Sequence, residues 1–159
     1  WLQDISPVDN FWSAVLSIVH PEAHKAGVDA ISALKGAVIT KNPVTWHSPF
    51  SGMDLIANRL MPGHWDAGRA PTFYDLLVSL GEGHRAILQI EDVKAELAYE
   101  PSTGVFITGR ILEHVVLRWE GGERVAIAYY MKDKVHDRLG VPRPTLPMQK
   151  SWLMTHARK

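Results

Sequence analysis

The segment HVVLRWEGGERVAIAYY, residues 114–130, decides the architecture. In its first half His114, Val116 and Arg118 fall on one face of an extended strand and Val115, Leu117 and Trp119 on the other, since side chains alternate along a strand. In its second half Arg124, Ala126, Ala128 and Tyr130 oppose Val125, Ile127 and Tyr129. One face is bulky and apolar, suited to packing. The other is polar or small, suited to lining a cavity. Gly121 and Gly122 interrupt the run. A two-residue loop there puts His114 and Arg124 on opposite faces, whereas a three-residue loop over 121–123 pairs Glu120 with Arg124 and turns both inward. The expectation is the three-residue turn, with glycine in the left-handed conformation.

Outward from this segment, short strand-like runs at 54–60, 86–90, 95–99 and 105–108 alternate with turn signals such as Pro62-Gly63 and Pro101-Ser102. Such spacing reads as a sandwich or barrel, not a parallel α/β sheet. Residues 73–80 read as a short helix before Gly81. Near the start, Ser6 and Pro7 read as a helix cap and first helical position, with Phe11, Val15, Leu16 and Val19 at helical spacing. Pro21 ends that helix, and 23–34 forms a second with Gly36 as its stop. The tail after Gly140 reads as extended, and the mixed charges of 132–138 as a solvated face. The fold class is therefore α+β, mainly β: a jelly-roll core with N-terminal helices packed on one sheet. We expect one domain over 1–159, with a helical support layer at 1–45, a β core at 46–144 and a C-terminal extension at 145–159.

Bulk properties exclude several classes. Seventeen basic and seventeen acidic residues cancel, so any polyanion contact comes from a local patch and not from overall charge. There is no cysteine, hence no disulfide and no thiolate metal site, which suits an intracellular compartment. No stretch approaches the roughly 20 apolar residues of a membrane helix, and no partner protein can be inferred. The start on Trp1 suggests a processed chain or an excised domain.

The eight histidines are the unusual component. His64 and Asp66 stand two apart, so in an extended segment both face one ion, and His114 offers a third ligand. Two histidines and a carboxylate, with positions left open, suit non-haem Fe(II) oxygenases. Alone this is a weak motif, and ordinary polar residues near a turn would produce it. Arg124, ten residues after His114, adds weight because its planar fork matches a carboxylate. An oxygenase that uses 2-oxoglutarate needs such an anchor for the distal end of the co-substrate, and a metal hydrolase does not.

The runs Asn58–Asp66, Phe73–Leu77 with Gly81, Tyr99-Glu100-Pro101, Gly109–His114 and Trp119–Arg124 resemble the TET/JBP family of Fe(II)/2-oxoglutarate-dependent nucleic-acid base dioxygenases, the fungal members most closely. The resemblance spans roughly residues 46–144. It implies a double-stranded β-helix core, iron on His64, Asp66 and His114, and 2-oxoglutarate on Arg124 with Arg59 beside it. It also implies a nucleic-acid partner, DNA ahead of RNA, and a nuclear location if DNA is the substrate. For Arg59 a structural salt bridge is an equal alternative.

Departures from the family pattern fall on substrate recognition. Arg69 stands where DNA-oxidising members often hold Asn or Asp, Lys132 where they often hold His, and Ala126 where they often hold a small hydroxyl residue. Arg69, Tyr130, Lys132 and His47 are carried as candidate substrate residues, each against a plainer reading as packing or surface. The expected activity is oxidation of a methyl group on a base, 5-methylcytosine in DNA first. The alternatives are N6-methyladenine, thymine, a small molecule outside the nucleic acids, or a silent cupin-like binding module.

Overall fold

A computed structural model describes residues 1–37 and 46–145. The remainder of the expected helical layer and of the C-terminal extension, with Pro147 and Trp152, lies outside the described residues. The chain divides into two compact units, Trp1–Ser51 with Lys134–Lys159, and Gly52–Asp133.

In the first unit, α1 (Ser6–Val19) and α2 (Pro21–Ala37) are successive helices joined by a hydrogen bond between Ser13 Oγ and His24 Nε2 at 3.0 Å. Two helix-boundary expectations need correction. Ser6 lies inside α1 and Ile5 is the cap, with no side-chain cap bond. The first turn is instead satisfied by backbone, since Ile5 N donates to Trp1 O and Val8 and Asp9 N donate to Ile5 O. Gly36 does not stop α2, which runs on to Ala37. A third helix begins at the end of the second unit, over Asp133–Leu139 (α3), in the stretch expected to be a solvated face. His136 on it is buried.

The second unit carries nine strands: β1 (Gly52–Ala57), β2 (Met61–His64), β3 (Asp75–Glu82), β4 (Arg85–Ile90), β5 (Ala95–Ala98), β6 (Gly104–Ile107), β7 (His114–Val116), β8 (Trp119–Glu120) and β9 (Glu123–Tyr130). One sheet runs β1-β9-β3-β6, and the other β2-β7-β4-β5 with β8 paired to the start of β4. All pairings are antiparallel, so the architecture is the two-sheet, jelly-roll-like one expected.

The helix expected at 73–80 is instead β3. Its apolar residues are consecutive, so their spacing satisfies a helix and a strand alike. Pairing decides the matter, because β3 lies between β9 and β6 with Leu76 and Val78 buried. Between the sheets Leu88, Tyr99 and Val116 form an apolar cluster against Leu77, Val105 and Trp119.

The 114–130 hairpin also needs correction. β8 pairs with β4, and β9 pairs with β3 and β1, so neither loop length applies: the chain changes sheets at Gly121-Gly122. Both glycines have positive φ, and a Cβ on Gly122 would lie 1.7 Å from the Glu82 carbonyl oxygen. The sharp crossing is bound against the 82–83 connection, where the chain passes the other way. His114 and Arg124 do face one cavity, but from opposite sheets.

Candidate metal centre

β2 and β7 bring the two histidines together. Their register sets His64 directly opposite His114, with ring centroids 4.5 Å apart. The register shifts between Met61 and His64, where Pro62 lacks a ladder N–H, and such irregularities re-aim side chains. Each Nδ1 sits on the carbonyl two residues before it, His64 on Pro62 O at 2.8 Å and His114 on Leu112 O at 3.0 Å. A carbonyl only accepts, so each Nδ1 donates, the tautomer that in a neutral ring leaves the Nε2 lone pair for a metal.

Asp66 completes the set. Its Oδ1 is 4.0 Å from His64 Nε2 and its Oδ2 is 3.8 Å from His114 Nε2, and the three ligand atoms lie within 4.8 Å of one another. Ligands at about 2.1 Å on one face of an octahedron stand about 3 Å apart, so small side-chain rotations close them on an ion. The chain thus carries the facial triad of Fe(II)/2-oxoglutarate dioxygenases, on His64, Asp66 and His114. Burial holds the His114 pKa below the usual histidine range, against the opposing pull of its bond to Leu112. That shift favours the neutral ring that metal binding requires.

Asp66 is held from behind. Its N–H donates to Gly109 O at 2.9 Å, and Arg69 Nη1 reaches both Asp66 Oδ2 at 2.7 Å and Asp75 Oδ1 at 2.6 Å. Asp75 in turn accepts from Gly109 N at 3.2 Å. Burial pushes the Asp75 pKa up to about 7, with Arg69 opposing the rise and Asp66 adding to it. A Cβ on Gly109 would fall 2.3 Å from Asp66 Oδ2 and 2.6 Å from Asp75 Oδ2. Only glycine leaves both carboxylates in place.

Arg124 lines the same cavity, which encloses about 110 Å³. The residue is 3% exposed. Its backbone is fixed by Asn58, whose Oδ1 accepts from Arg124 N at 2.9 Å and whose N donates to Arg124 O at 2.8 Å. The guanidinium lies near the Tyr99 and Trp119 rings, at 5.7 and 5.9 Å. Nη1 donates to Arg59 O at 3.3 Å, while Nε is buried without a partner. Among the described residues no carboxylate pairs with it. A buried cation in that state is costly, and a ligand carboxylate would relieve it. Ala126 and Ala128, beside Arg124 on β9, leave the cavity open.

The other expected residues fall variously. Arg59 is exposed and offers Arg124 its carbonyl. Arg69 is half-buried, engaged by Asp66 and Asp75, with its guanidinium 4.3 Å from the Tyr130 ring centroid. Tyr130 is buried and donates to Asp54 Oδ1 at 3.2 Å. Lys132 is exposed, its Nζ 5.2 Å from the Tyr130 ring. His47 is exposed in the first unit. Sequence reading missed Asp54, Asp75 and Gly109. An acid heading an apolar strand was the one available signal, at Asp75.

No protein-family model matches the chain, and no curated protein matches it. Among solved structures it resembles the one described as NgTET1 in complex with 5mC DNA, with a TM-score of 0.60 and 16% identity. The match covers 99% of this chain and 59% of that one, so this chain spans about three fifths of that protein. At that identity the likeness is one of fold alone.

Proposed function

We propose that this chain is the catalytic domain of an Fe(II)/2-oxoglutarate-dependent dioxygenase that oxidises a methyl group on a nucleic-acid base, 5-methylcytosine in DNA first. The observation that carries the reading is Arg124: a buried guanidinium with an unpartnered Nε, in one cavity with a triad whose Nε2 atoms are free. Its fork would take the distal carboxylate of 2-oxoglutarate, and His64, Asp66 and His114 would hold the iron. Bound there, the iron supplies oxidative chemistry that turns 2-oxoglutarate, oxygen and a methyl group into succinate, carbon dioxide and a hydroxymethyl group. The chain's own part is to orient. Nδ1 bonds fix both imidazoles, Arg69 and Gly109 fix Asp66, and the apolar Leu88–Tyr99–Val116 cluster keeps water from the floor.

The DNA part rests on the fold shared with a protein solved on 5mC DNA and on the motif resemblance, which leans to the fungal members. A base within a duplex is extruded into such a pocket at a cost of a few kcal/mol. With no net charge, the phosphate contacts would come from a local basic strip and weaken steeply with salt. A nuclear location follows from this reading. N6-methyladenine remains a second substrate, because Arg69 is engaged with the metal carboxylate and so differs from the Asn or Asp of DNA-oxidising members.

Anaerobic Fe(II) titration followed by a succinate-release assay tests the proposal on oligonucleotides with different modified bases. Succinate with a hydroxymethyl base is expected. Absence of succinate under every condition overturns the dioxygenase, and succinate without base oxidation overturns the nucleic-acid substrate alone.

A further inference from the structure

Beyond the metal ligands, Arg69 and Arg124, the cavity wall presents one more charged side chain, Asp54. It lies on β1, directly opposite Ala128 of β9, so a methyl group and not a bulky neighbour flanks it. Its Oδ1 accepts from the Tyr130 hydroxyl at 3.2 Å, and among the described residues no cation pairs with it. Asp54 is exposed as well as lining the cavity, as a group that meets an incoming molecule must be.

Its orientation is built. The Tyr130 ring lies over Gly52, its direct cross-strand partner, where a Cβ would fall 2.2 Å from the ring. The Arg69 guanidinium also stacks on the ring, at 4.3 Å from its centroid. The ring cannot rotate freely, and its hydroxyl is aimed at Asp54. Through Arg69 the same ring is tied to the metal ligand Asp66. A continuous line, Asp54–Tyr130–Arg69–Asp66, therefore connects the free carboxylate to the metal centre. Arg124 lies at the other end of β9, four residues beyond the rung facing Asp54, or about 13 Å along the strand at about 3.3 Å per residue. Asp54 is thus set away from the co-substrate anchor and linked to the metal ligand Asp66 through Tyr130 and Arg69.

An ionised carboxylate only accepts hydrogen bonds. It favours a base edge with an exocyclic amino group and disfavours one with a carbonyl oxygen at the same place, since two acceptors repel. We infer that Asp54, held by Tyr130, is the specificity-determining residue of the cavity and selects an amino-bearing base over a carbonyl-bearing one. The choice is 5-methylcytosine, or adenine methylated at its amino nitrogen, over thymine. This inference rests on the proposed base-oxidising activity.

The test compares wild type, Asp54→Asn and Tyr130→Phe on matched oligonucleotides with 5-methylcytosine or thymine at one position. Base oxidation is read by mass spectrometry, and oligonucleotide affinity by fluorescence anisotropy on the iron-free protein. Wild type should favour 5-methylcytosine by about tenfold or more. Asp54→Asn, whose amide also donates, should bring the ratio toward one or below it. Tyr130→Phe, which keeps the ring under Arg69, should reduce the preference part of the way, and the affinity ratios should follow. A wild-type preference for thymine, no preference, or an undiminished preference in Asp54→Asn would each overturn the inference while leaving base oxidation standing. If no oligonucleotide is oxidised by any variant, the base-oxidising reading falls and this inference falls with it.

Discussion

Replacing Gly109 with alanine perturbs the metal centre through a single methyl group. Gly109 has no positive φ, so alanine meets no backbone penalty there and the effect is steric. The new Cβ would lie 2.3 Å from Asp66 Oδ2 and 2.6 Å from Asp75 Oδ2, against an ordinary contact of at least about 3.4 Å. Each carboxylate must retreat by about 1 Å. Asp75 is buried and Asp66 is pinned by Arg69 at 2.7 Å, so neither yields without losing a bond. Displacements near 1 Å cost about 100-fold in reactions, and loss of groups that orient a metal ligand costs about 10–100-fold in affinity. We expect the Mn(II) dissociation constant of Gly109→Ala to rise roughly 10–100-fold. The assay is electron paramagnetic resonance of free Mn(II), with circular dichroism to verify the fold and the exposed neighbour Arg110→Ala as control. Wild-type Mn(II) affinity in a folded Gly109→Ala protein would refute the role given to the Asp66–Gly109–Asp75 cluster.

Other expectations follow from the same geometry. Arg124→Ala should leave Mn(II) affinity intact and raise the KM for 2-oxoglutarate by roughly two orders of magnitude, as for loss of one partner of a buried charge pair; His114→Ala should abolish metal binding in calorimetry. Gly122→Ala drives a Cβ into the Glu82 carbonyl and should lower stability by about 2–3 kcal/mol in urea melts. The Asp75 pKa is raised to about 7 from 3.8, so between those values the folded metal-free state binds the extra proton. Its stability should therefore fall as pH rises from about 4 to about 7. Asp75→Asn should flatten that slope, and an unchanged slope would remove Asp75 as its source.

The triad and Arg124 were legible because their signals are local: the two-residue spacing of His64 and Asp66, although β2 ends at His64, and alternation along 114–130. The alternation also placed Arg124, Ala126 and Ala128 of β9 on the cavity, where Ile127 joins them and Tyr130 does not. What failed depended on partners distant in sequence. Residues 73–80 satisfy a helix and a buried strand alike, and only pairing with β9 and β6 selects the strand. Gly121-Gly122 signals a reversal, yet two glycines suit a hairpin and a change of sheet equally. Ser6 offered a cap that the preceding backbone turn supplied instead. Asp54 shows nothing in its own neighbourhood, and Asp75 only that an acid heads an apolar strand. Their meaning comes from Tyr130 and Arg69, which lie 76 residues after Asp54 and a few before Asp75.

The crossing at Gly121-Gly122 leaves the metal-binding histidines on one sheet and Arg124 on the other. A dicarboxylate that reaches from the ion to Arg124 is then a tie between two layers that the chain itself joins only at their rims. By mass action such a tie adds about 2.7 kcal/mol to the folded state at a hundredfold excess over its dissociation constant. Co-substrate supply would thus govern how long the domain survives heat and protease as well as how fast it turns over.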